Sequence, residues 1–149
     1  MAEFVKLAGK LKRMKRTGWI LNKVPNPESV ADHSFSVSLM SLLLSKTSPK
    51  INSLKLVKMA IVHDLPEALI GDIPPFEISG VSRKIKRDLE DKAISEIGRV
   101  LGNEQSCFAQ EIKHLCREYN EGSSQEAKLL KDLDKFFSEI KTGHAAYSN

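Results

Sequence analysis

Cysteine is scarce in this sequence of 149 residues, which contains only two. Cys107 and Cys116 stand nine positions apart, without a Cys-x-x-Cys pair and without further thiols that would complete a zinc site. A disulfide framework is therefore not expected. The predicted compartment is a reducing cytoplasm.

Long apolar segments are also missing. No run of the sequence reaches the ~18 apolar residues that a membrane span needs. The first residues lack the charged region, apolar run and small-residue cleavage site of a signal peptide. With 41% hydrophobic and 28% charged residues, the composition is that of an ordinary soluble globular protein, and no membrane partner is expected.

Signals for β structure are absent as well: there is no strand-period run, no Asn-Gly hairpin and no internal repeat. Apolar residues instead recur at spacings of three and four, which predicts an all-α fold, a compact single-domain helical bundle over residues 1–149. Either Ser29 or Asn26 caps the second helix, and Pro66 is expected to kink the third. Beyond a first helix from Phe4, the predicted helices cover about 30–44, 51–70, 82–101, 104–119 and 124–141, with loops around Thr17-Gly18 and 71–75 and a flexible tail from about 143.

Three of these helices carry imidazole or carboxylate groups on their apolar stripes. The stripes contain Val30, His33 and Val37; Leu56, Ala60 and His63; Val57, Ile61 and Asp64; and Ala127, Leu130 and Asp134. Asp132 falls on the charged, solvated face of the last helix, so periodicity selects Asp134 as the inward aspartate. Each residue alone is also compatible with a satisfied core histidine or a paired carboxylate. Together they favour a metal site, because unpaired buried carboxylates are costly.

The predicted ligand set is mixed. Two imidazoles and two carboxylates suit one divalent ion of Mn, Fe, Co, Ni or Zn, with Mg less natural at imidazole. If the ion is five- or six-coordinate, four protein ligands leave positions for water and substrate, as a catalytic site requires.

Two further carboxylates follow the His63-Asp64 pair. Glu67 lies over the same helix face as His63 and Asp64, and Asp72 is in the loop after it. One of them would position or deprotonate a water, or protonate a leaving group. Glu67 is alternatively an outer partner of a ligating histidine.

The sequence resembles the HD-domain metal-dependent phosphohydrolase superfamily, and within it the 5′-deoxynucleotidase branch of YfbR-like and HD-domain-containing-protein-2-like members. The likeness covers roughly residues 4–140. It is carried by Arg16-Thr17-Gly18-Trp19, Pro27-Glu28-Ser29-Val30-Ala31-Asp32-His33-Ser34, His63-Asp64-Leu65-Pro66-Glu67-Ala68, Gly71-Asp72-Ile73-Pro74, Glu126-Ala127-Lys128 and Asp132-Leu133-Asp134.

The resemblance implies an all-helical homodimer that hydrolyses deoxyribonucleoside 5′-monophosphates. Carried over by position, it implies His33, His63, Asp64 and Asp134 as metal ligands. It also implies Glu67 as a catalytic carboxylate and Asp72 as a residue of catalysis or substrate contact.

Two substrate contacts come from the same resemblance. Trp19 matches a tryptophan near the sugar, where its ring would disfavour a ribose 2′-hydroxyl, although it would serve equally as a packing residue. Bacterial members have an arginine directly before this tryptophan, where this chain has Gly18. The nearest arginine, Arg16, is therefore the candidate phosphate contact, because its fork can bind two phosphate oxygens.

Three alternatives stay open at this point. The first is an HD hydrolase of a cyclic nucleotide, a dinucleotide or guanosine tetraphosphate. The second is a non-catalytic module that binds metal or nucleotide and regulates a partner. The third is nucleic-acid binding, which is not favoured, because a net charge of +4 and the basic residues of the N-terminal segment suit a solvated surface equally well.

Overall fold

The computed structural model describes residues 1–46, 49–102 and 106–144, and helices form the regular structure of these ranges. Their bounds are α1 Ala2–Gly9, α2 Thr17–Leu21, α3 Val30–Leu44, α4 Ser53–Val62, α5 Glu67–Ile70, α6 Phe76–Ser79, α7 Arg83–Val100, α8 Cys107–Glu121 and α9 Gln125–His144, with a 3₁₀ turn at Lys10–Lys12. The only strand-like pairing among the described residues is one antiparallel bridge between Lys15 and Ser29. The all-α prediction is confirmed, and none of the described helices is long and apolar enough to cross a membrane.

Two helices match their predicted bounds closely. α3 covers Val30–Leu44, and its N-cap is Ser29 and not Asn26. α7 covers Arg83–Val100 between the caps Ser82 and Leu101. In both, a serine side chain accepts a backbone hydrogen bond from the first turn, which is the local signal that sequence can provide.

The predicted third helix is two helices. Because Pro66 has no N–H, it cannot donate to the carbonyl oxygen of Val62 one turn earlier. That oxygen instead accepts the Leu65 N–H at 3.0 Å and the Cys116 thiol at 3.4 Å. The helix therefore ends at Val62, not at a kink near Pro66, and α5 starts again at Glu67.

The predicted loop around Thr17-Gly18 is in fact the short helix α2. Its first N–H, that of Thr17, donates to Asp72 Oδ2 at 2.6 Å, and the Thr17 hydroxyl donates to the Asp72 carbonyl at 2.8 Å. A residue distant in sequence thus caps α2, which is why a local pattern does not predict this helix. α6 was likewise not predicted.

The last two helices differ from prediction at their ends. α8 begins at Cys107 after the cap Ser106, and the predicted start at Glu104 lies outside the described residues. It continues to Glu121 and stops at Gly122, whose φ of 65° favours glycine. α9 continues to His144, beyond the predicted end near 141, and the rest of the predicted flexible tail, 145–149, lies outside the described residues.

Two apolar clusters form the core. One contains Leu7, Leu11, Val30, Leu65, Ala68, Ile94, Ile97, Ile112 and Cys116; the other contains Val37, Leu56, Met59, Ala60, Leu115, Ala127, Leu130 and Leu133. His33 lies in sequence between residues of the two clusters, and so does the His63-Asp64 pair. The polar residues therefore occupy a seam between the clusters.

Candidate metal centre and active site

The start of α3 fixes the position of His33. The Ser29 hydroxyl accepts the Asp32 N–H at 3.1 Å, and the Asp32 carboxylate accepts the Ser29 N–H at 2.9 Å. This reciprocal capping box satisfies two backbone donors and sets where the helix begins. His33 follows directly and has no solvent exposure, as the apolar stripe predicts.

The helix end at Val62 fixes the His63-Asp64 pair. His63 Nδ1 lies 2.7 Å from the Ala60 carbonyl oxygen, which only accepts hydrogen bonds, so Nδ1 carries the proton. Nε2 is then the free acceptor, and it lies 3.3 Å from Asp64 Oδ2. The stripe that predicted an inward Asp64 is wrong at Ile61, which is 58% exposed. Asp64 itself is buried, but it lies beyond the end of α4, in the turn that follows.

Asp134 enters the seam from α9, while Asp132 is exposed, as periodicity predicts. Asp134 Oδ1 lies 3.0 Å from His33 Nε2, and Asp134 Oδ2 accepts a hydrogen bond from the Tyr119 hydroxyl at 2.8 Å. The structure therefore brings together side chains from α3, from the turn after α4 and from α9.

Four buried atoms at this point have no hydrogen-bond partner among the described residues: His33 Nε2, His63 Nε2, Asp64 Oδ2 and Asp134 Oδ1. His33 Nε2 and Asp134 Oδ1 are close but lack the alignment of a hydrogen bond. Ligand atoms of His33, His63 and Asp64 all lie within 4.8 Å of one another. Unsatisfied buried polar atoms are costly and rare, and a divalent ion bound by mixed nitrogen and oxygen donors resolves them together. The residues present thus fit a metal ion.

His33 and Asp134 shift each other's pKa values in opposite directions. Burial acts to lower the pKa of His33, but Asp134 and Glu28 beside its ring raise it above the ordinary value. Burial acts to raise the pKa of Asp134, but His33, His63 and Tyr119 hold it well below the ordinary value. The two shifts have opposite directions because protonated His33 and ionised Asp134 stabilise each other.

Arg16 lies over the same carboxylates. Its guanidinium nitrogens are 3.6 Å from Asp64 Oδ2 and 3.8 Å from Asp134 Oδ1, and one of them donates to the Ser138 hydroxyl at 3.3 Å. Burial acts to lower the pKa of Arg16, but the carboxylates of Asp64, Asp72 and Asp134 raise it. A permanent positive charge therefore faces these carboxylates from the side of α2.

Glu67 is the first residue of α5 and is only 7% exposed. Its Oε2 has no hydrogen-bond partner among the described residues. Burial raises the pKa of Glu67 well above its ordinary value, and the charges of Asp64 and Asp72 raise it further. A carboxyl with a raised pKa exchanges its proton closer to neutral pH than an exposed carboxyl does. A general acid or base needs this property.

A cavity of about 510 Å³ opens onto these groups. Seven of the eight predicted site residues line it: Arg16, Trp19, His63, Asp64, Glu67, Asp72 and Asp134. The eighth, His33, lies behind Asp64 and Asp134. Gly18 lines the cavity beside Trp19, so the position to which the resemblance assigns the arginine of bacterial members contributes no side chain here.

Sequence reasoning missed several cavity residues, among them Arg83, Lys86 and Arg87 of α7, Asn120, and Tyr119. Tyr119 had a usable signal, because it follows buried Ile112 and Cys116 at helical spacing and so belongs to the inner face of α8. The cations of α7 had no comparable signal, because their helix is charged on most sides.

Comparison with known proteins gives the class to which this geometry belongs. The HD domain family matches residues 8–147, and the chain belongs to that family. Solved structures agree. A conserved hypothetical protein from Pyrococcus furiosus is 33% identical with a TM-score of 0.77, and a protein from Pyrococcus horikoshii is 35% identical with a TM-score of 0.75. The alignments cover all of this chain and 83% and 82% of those chains, respectively.

The curated relatives that match this chain share the name of one enzyme. The chain is 41% identical to the 5′-deoxynucleotidase HDDC2 of Dictyostelium discoideum, over 90% of this chain and 71% of the relative. It is 41% identical to the Danio rerio protein of the same name, over 90% and 64%, and 34% identical to that of Homo sapiens, over 91% and 63%. The chain thus spans about two thirds of the length of these relatives.

Proposed function

We propose that this chain is a metal-dependent 5′-deoxynucleotidase, which hydrolyses deoxyribonucleoside 5′-monophosphates to deoxynucleoside and phosphate. The observation that carries the proposal is one cavity lined by the orphaned atoms of His63, Asp64 and Asp134 and by the buried carboxyl of Glu67, with His33 directly behind Asp64 and Asp134. The names of the curated relatives supply the substrate class.

In this proposal His33, His63, Asp64 and Asp134 hold one divalent ion through the four atoms that lack partners. When bound, such an ion polarises a phosphate oxygen and lowers the pKa of a water. The metal is drawn from Mn, Co, Fe, Ni, Zn and Mg; its identity is part of the test below.

Glu67 would orient the attacking water and accept its proton as the water oxygen bonds to phosphorus. The P–O5′ bond then breaks, and the departing 5′-oxygen takes up a proton, for which Glu67 or Asp72 is the donor. Asp72 suits a fixed role, because Thr17 holds both its carboxylate and its carbonyl.

Arg16 and Trp19 would bind the substrate. The Arg16 guanidinium already faces two carboxylates that would become metal ligands, so it lies where phosphate oxygens would approach the ion. Trp19 is half-buried in the cavity wall, where its ring would disfavour a ribose 2′-hydroxyl. We expect deoxyribonucleotides to be preferred for this steric reason.

Phosphate release from dAMP and AMP with Mn²⁺, Co²⁺ and Mg²⁺ tests this proposal. We expect faster release from dAMP, and in Glu67→Gln a kcat lower by about 10²- to 10⁴-fold. Glu77→Gln changes an exposed glutamate of α6 outside the cavity and should retain full activity. Absence of release with every metal would contradict the proposal. Turnover of a cyclic nucleotide, a dinucleotide or guanosine tetraphosphate alone would replace the substrate class.

We further propose that two copies of the chain associate. α3 is apolar on its outer side as well as its inner side, since Phe35, Leu39, Leu42 and Leu43 are at least half exposed. A helix that is apolar all round normally has partners on both faces, and a second copy would cover this one. Light scattering of the purified chain should give the mass of two chains; a one-chain mass at all concentrations would exclude the dimer.

The compartment is also a proposal. Cys107 and Cys116 are both free thiols, one exposed and one buried. Thiols that stay unpaired suit a reducing cytoplasm. Fractionation of cells would contradict this location if the chain appeared in an oxidising compartment.

A further inference from the structure

Tyr119 is a residue to which the proposed reaction assigns no step, although it touches two of the proposed metal ligands. We propose that Tyr119 is a positioning residue that orients the Asp134 carboxylate and the His63 ring toward the metal site. This inference rests on the metal site of the proposed function, and it concerns the geometry of the ligands.

The first contact is with Asp134. The Tyr119 hydroxyl donates to Asp134 Oδ2 at 2.8 Å. A carboxylate rotates about one bond, so holding Oδ2 also fixes the direction of Oδ1. Oδ1 is the orphaned oxygen that lies 3.0 Å from His33 Nε2, and Tyr119 therefore sets which oxygen faces the site.

The second contact is with His63. The two rings meet edge to face, with centroids 5.1 Å apart and an interplanar angle of 67°. The Ala60 carbonyl holds His63 Nδ1 on the other side of the imidazole. The His63 ring is thus held at its nitrogen and at its edge, and only Nε2 is left toward Asp64.

Tyr119 is itself held in place. It stands on the inner face of α8, three residues after buried Cys116. The Lys131 ammonium of α9 lies 5.7 Å from the centre of its ring and donates to the Asn120 carbonyl at 2.9 Å. Tyr119 thus links α8 to α9, which contains Asp134, and to the turn after α4, which contains His63.

A phenylalanine would fill the same space, so packing alone does not explain the hydroxyl. Its particular effect is to occupy Oδ2, which otherwise could turn toward the ion or toward water. Outer partners of this kind fix ligand orientation, and their loss typically lowers metal affinity by about 10- to 100-fold.

Tyr119→Phe tests the proposal, because it keeps the ring and removes only the hydroxyl. We expect Co²⁺ affinity, measured by calorimetric titration, to fall about 10- to 100-fold, with an altered visible absorption spectrum of the bound Co²⁺. The metal-free variant should keep its far-ultraviolet circular dichroism. Ser36→Ala removes an exposed hydroxyl of α3 and should leave both Co²⁺ readouts unchanged.

A double-mutant cycle separates positioning from general destabilisation. If Tyr119 acts through Asp134, then Tyr119→Phe in an Asp134→Asn background should change Co²⁺ affinity by much less than in the wild type. Additive losses in the cycle, or wild-type affinity and spectrum in Tyr119→Phe, would overturn the proposal. So would a wild-type chain that binds no Co²⁺.

The same measurements distinguish this inference from the proposed reaction. A wild-type chain that binds Co²⁺ but releases no phosphate from dAMP would refute the deoxynucleotidase proposal. A coupled loss of Co²⁺ affinity in Tyr119→Phe would still support the positioning role in that case. Phosphate release by the wild type, together with unchanged Co²⁺ binding in Tyr119→Phe, would support the deoxynucleotidase proposal and refute the positioning role of Tyr119.

Discussion

Asp132 and Asp134 stand two residues apart on α9, and their surroundings give them different chemistry. Asp132 is exposed, while Asp134 lies between His33 and Tyr119. As a proposed ligand, Asp134 would contribute its charge and the direction of one oxygen. An asparagine of the same shape would retain the packing and lose the charge.

Asp134→Asn should therefore lower metal affinity by more than about 100-fold, beyond the range typical for outer partners. Asp132→Asn, on the solvated face of the same helix, should bind metal as the wild type does. Calorimetric titration with Mn²⁺ or Co²⁺ measures both. Equal affinities in the two variants would remove Asp134 from the ligand set.

At the scale of elements, the start of α3 determines where His33 points. Ser29 is almost fully buried and accepts the Asp32 N–H that no helical carbonyl can serve. If this cap is lost, the first turn of α3 frays, and His33 lies in that turn.

Ser29→Ala should lower the free energy of unfolding by about 1 kcal/mol. Ser36→Ala changes another hydroxyl of α3, which only back-bonds to the Asp32 carbonyl, and should have a smaller effect. Urea denaturation of the metal-free chain compares them. The expectation fails if the two serines prove equally important.

How far the sequence predicts the elements depends on where each element's determining contact comes from. α3 and the inward His33 follow from a serine cap and an apolar stripe that are local. α2 does not, because its capping carboxylate belongs to Asp72. Pro66 is visible in the sequence, but its effect falls at Val62, whose carbonyl oxygen accepts a hydrogen bond from the Cys116 thiol of α8.

The candidate site shows the same division. Periodicity distinguishes Asp134 from Asp132, because that choice depends on one helix alone. The outer contacts of Tyr119 depend on how α8, α9 and the turn after α4 meet. Such contacts follow from tertiary packing, which a single sequence does not reveal.

At the scale of the whole molecule, proton binding and metal binding compete. Burial acts to lower the pKa of His33, but Asp134 and Glu28 raise it above 6.5 in the metal-free protein. Protonated His33 therefore stabilises the fold. This stabilisation is fully present below pH 6.5 and is lost as pH rises through the raised pKa. Burial and neighbouring carboxylates raise the pKa of Glu67, so its ionisation destabilises the fold in the same direction. A metal ion binds neutral imidazole and reverses this loss.

Mn²⁺ should therefore raise the Tm more at about pH 8 than at about pH 6.5. Differential scanning fluorimetry with and without metal measures the difference. His114→Asn, which changes an exposed histidine of α8, should keep this pH dependence, and His33→Asn should weaken it, because only the contribution of Glu67 remains. A metal-induced shift that is constant with pH would contradict the expectation.

The contact between His33 and Asp134 joins the early helix α3 to α9, which follows all the other described helices in the chain. During synthesis, His33, His63 and Asp64 therefore leave the ribosome well before Asp134 does. A growing chain can offer an ion an incomplete set of donors, and the full set exists only after α9 has docked. Tight metal binding would then mark a chain in which α9 has docked, and a competing ion that arrived earlier would be bound only weakly.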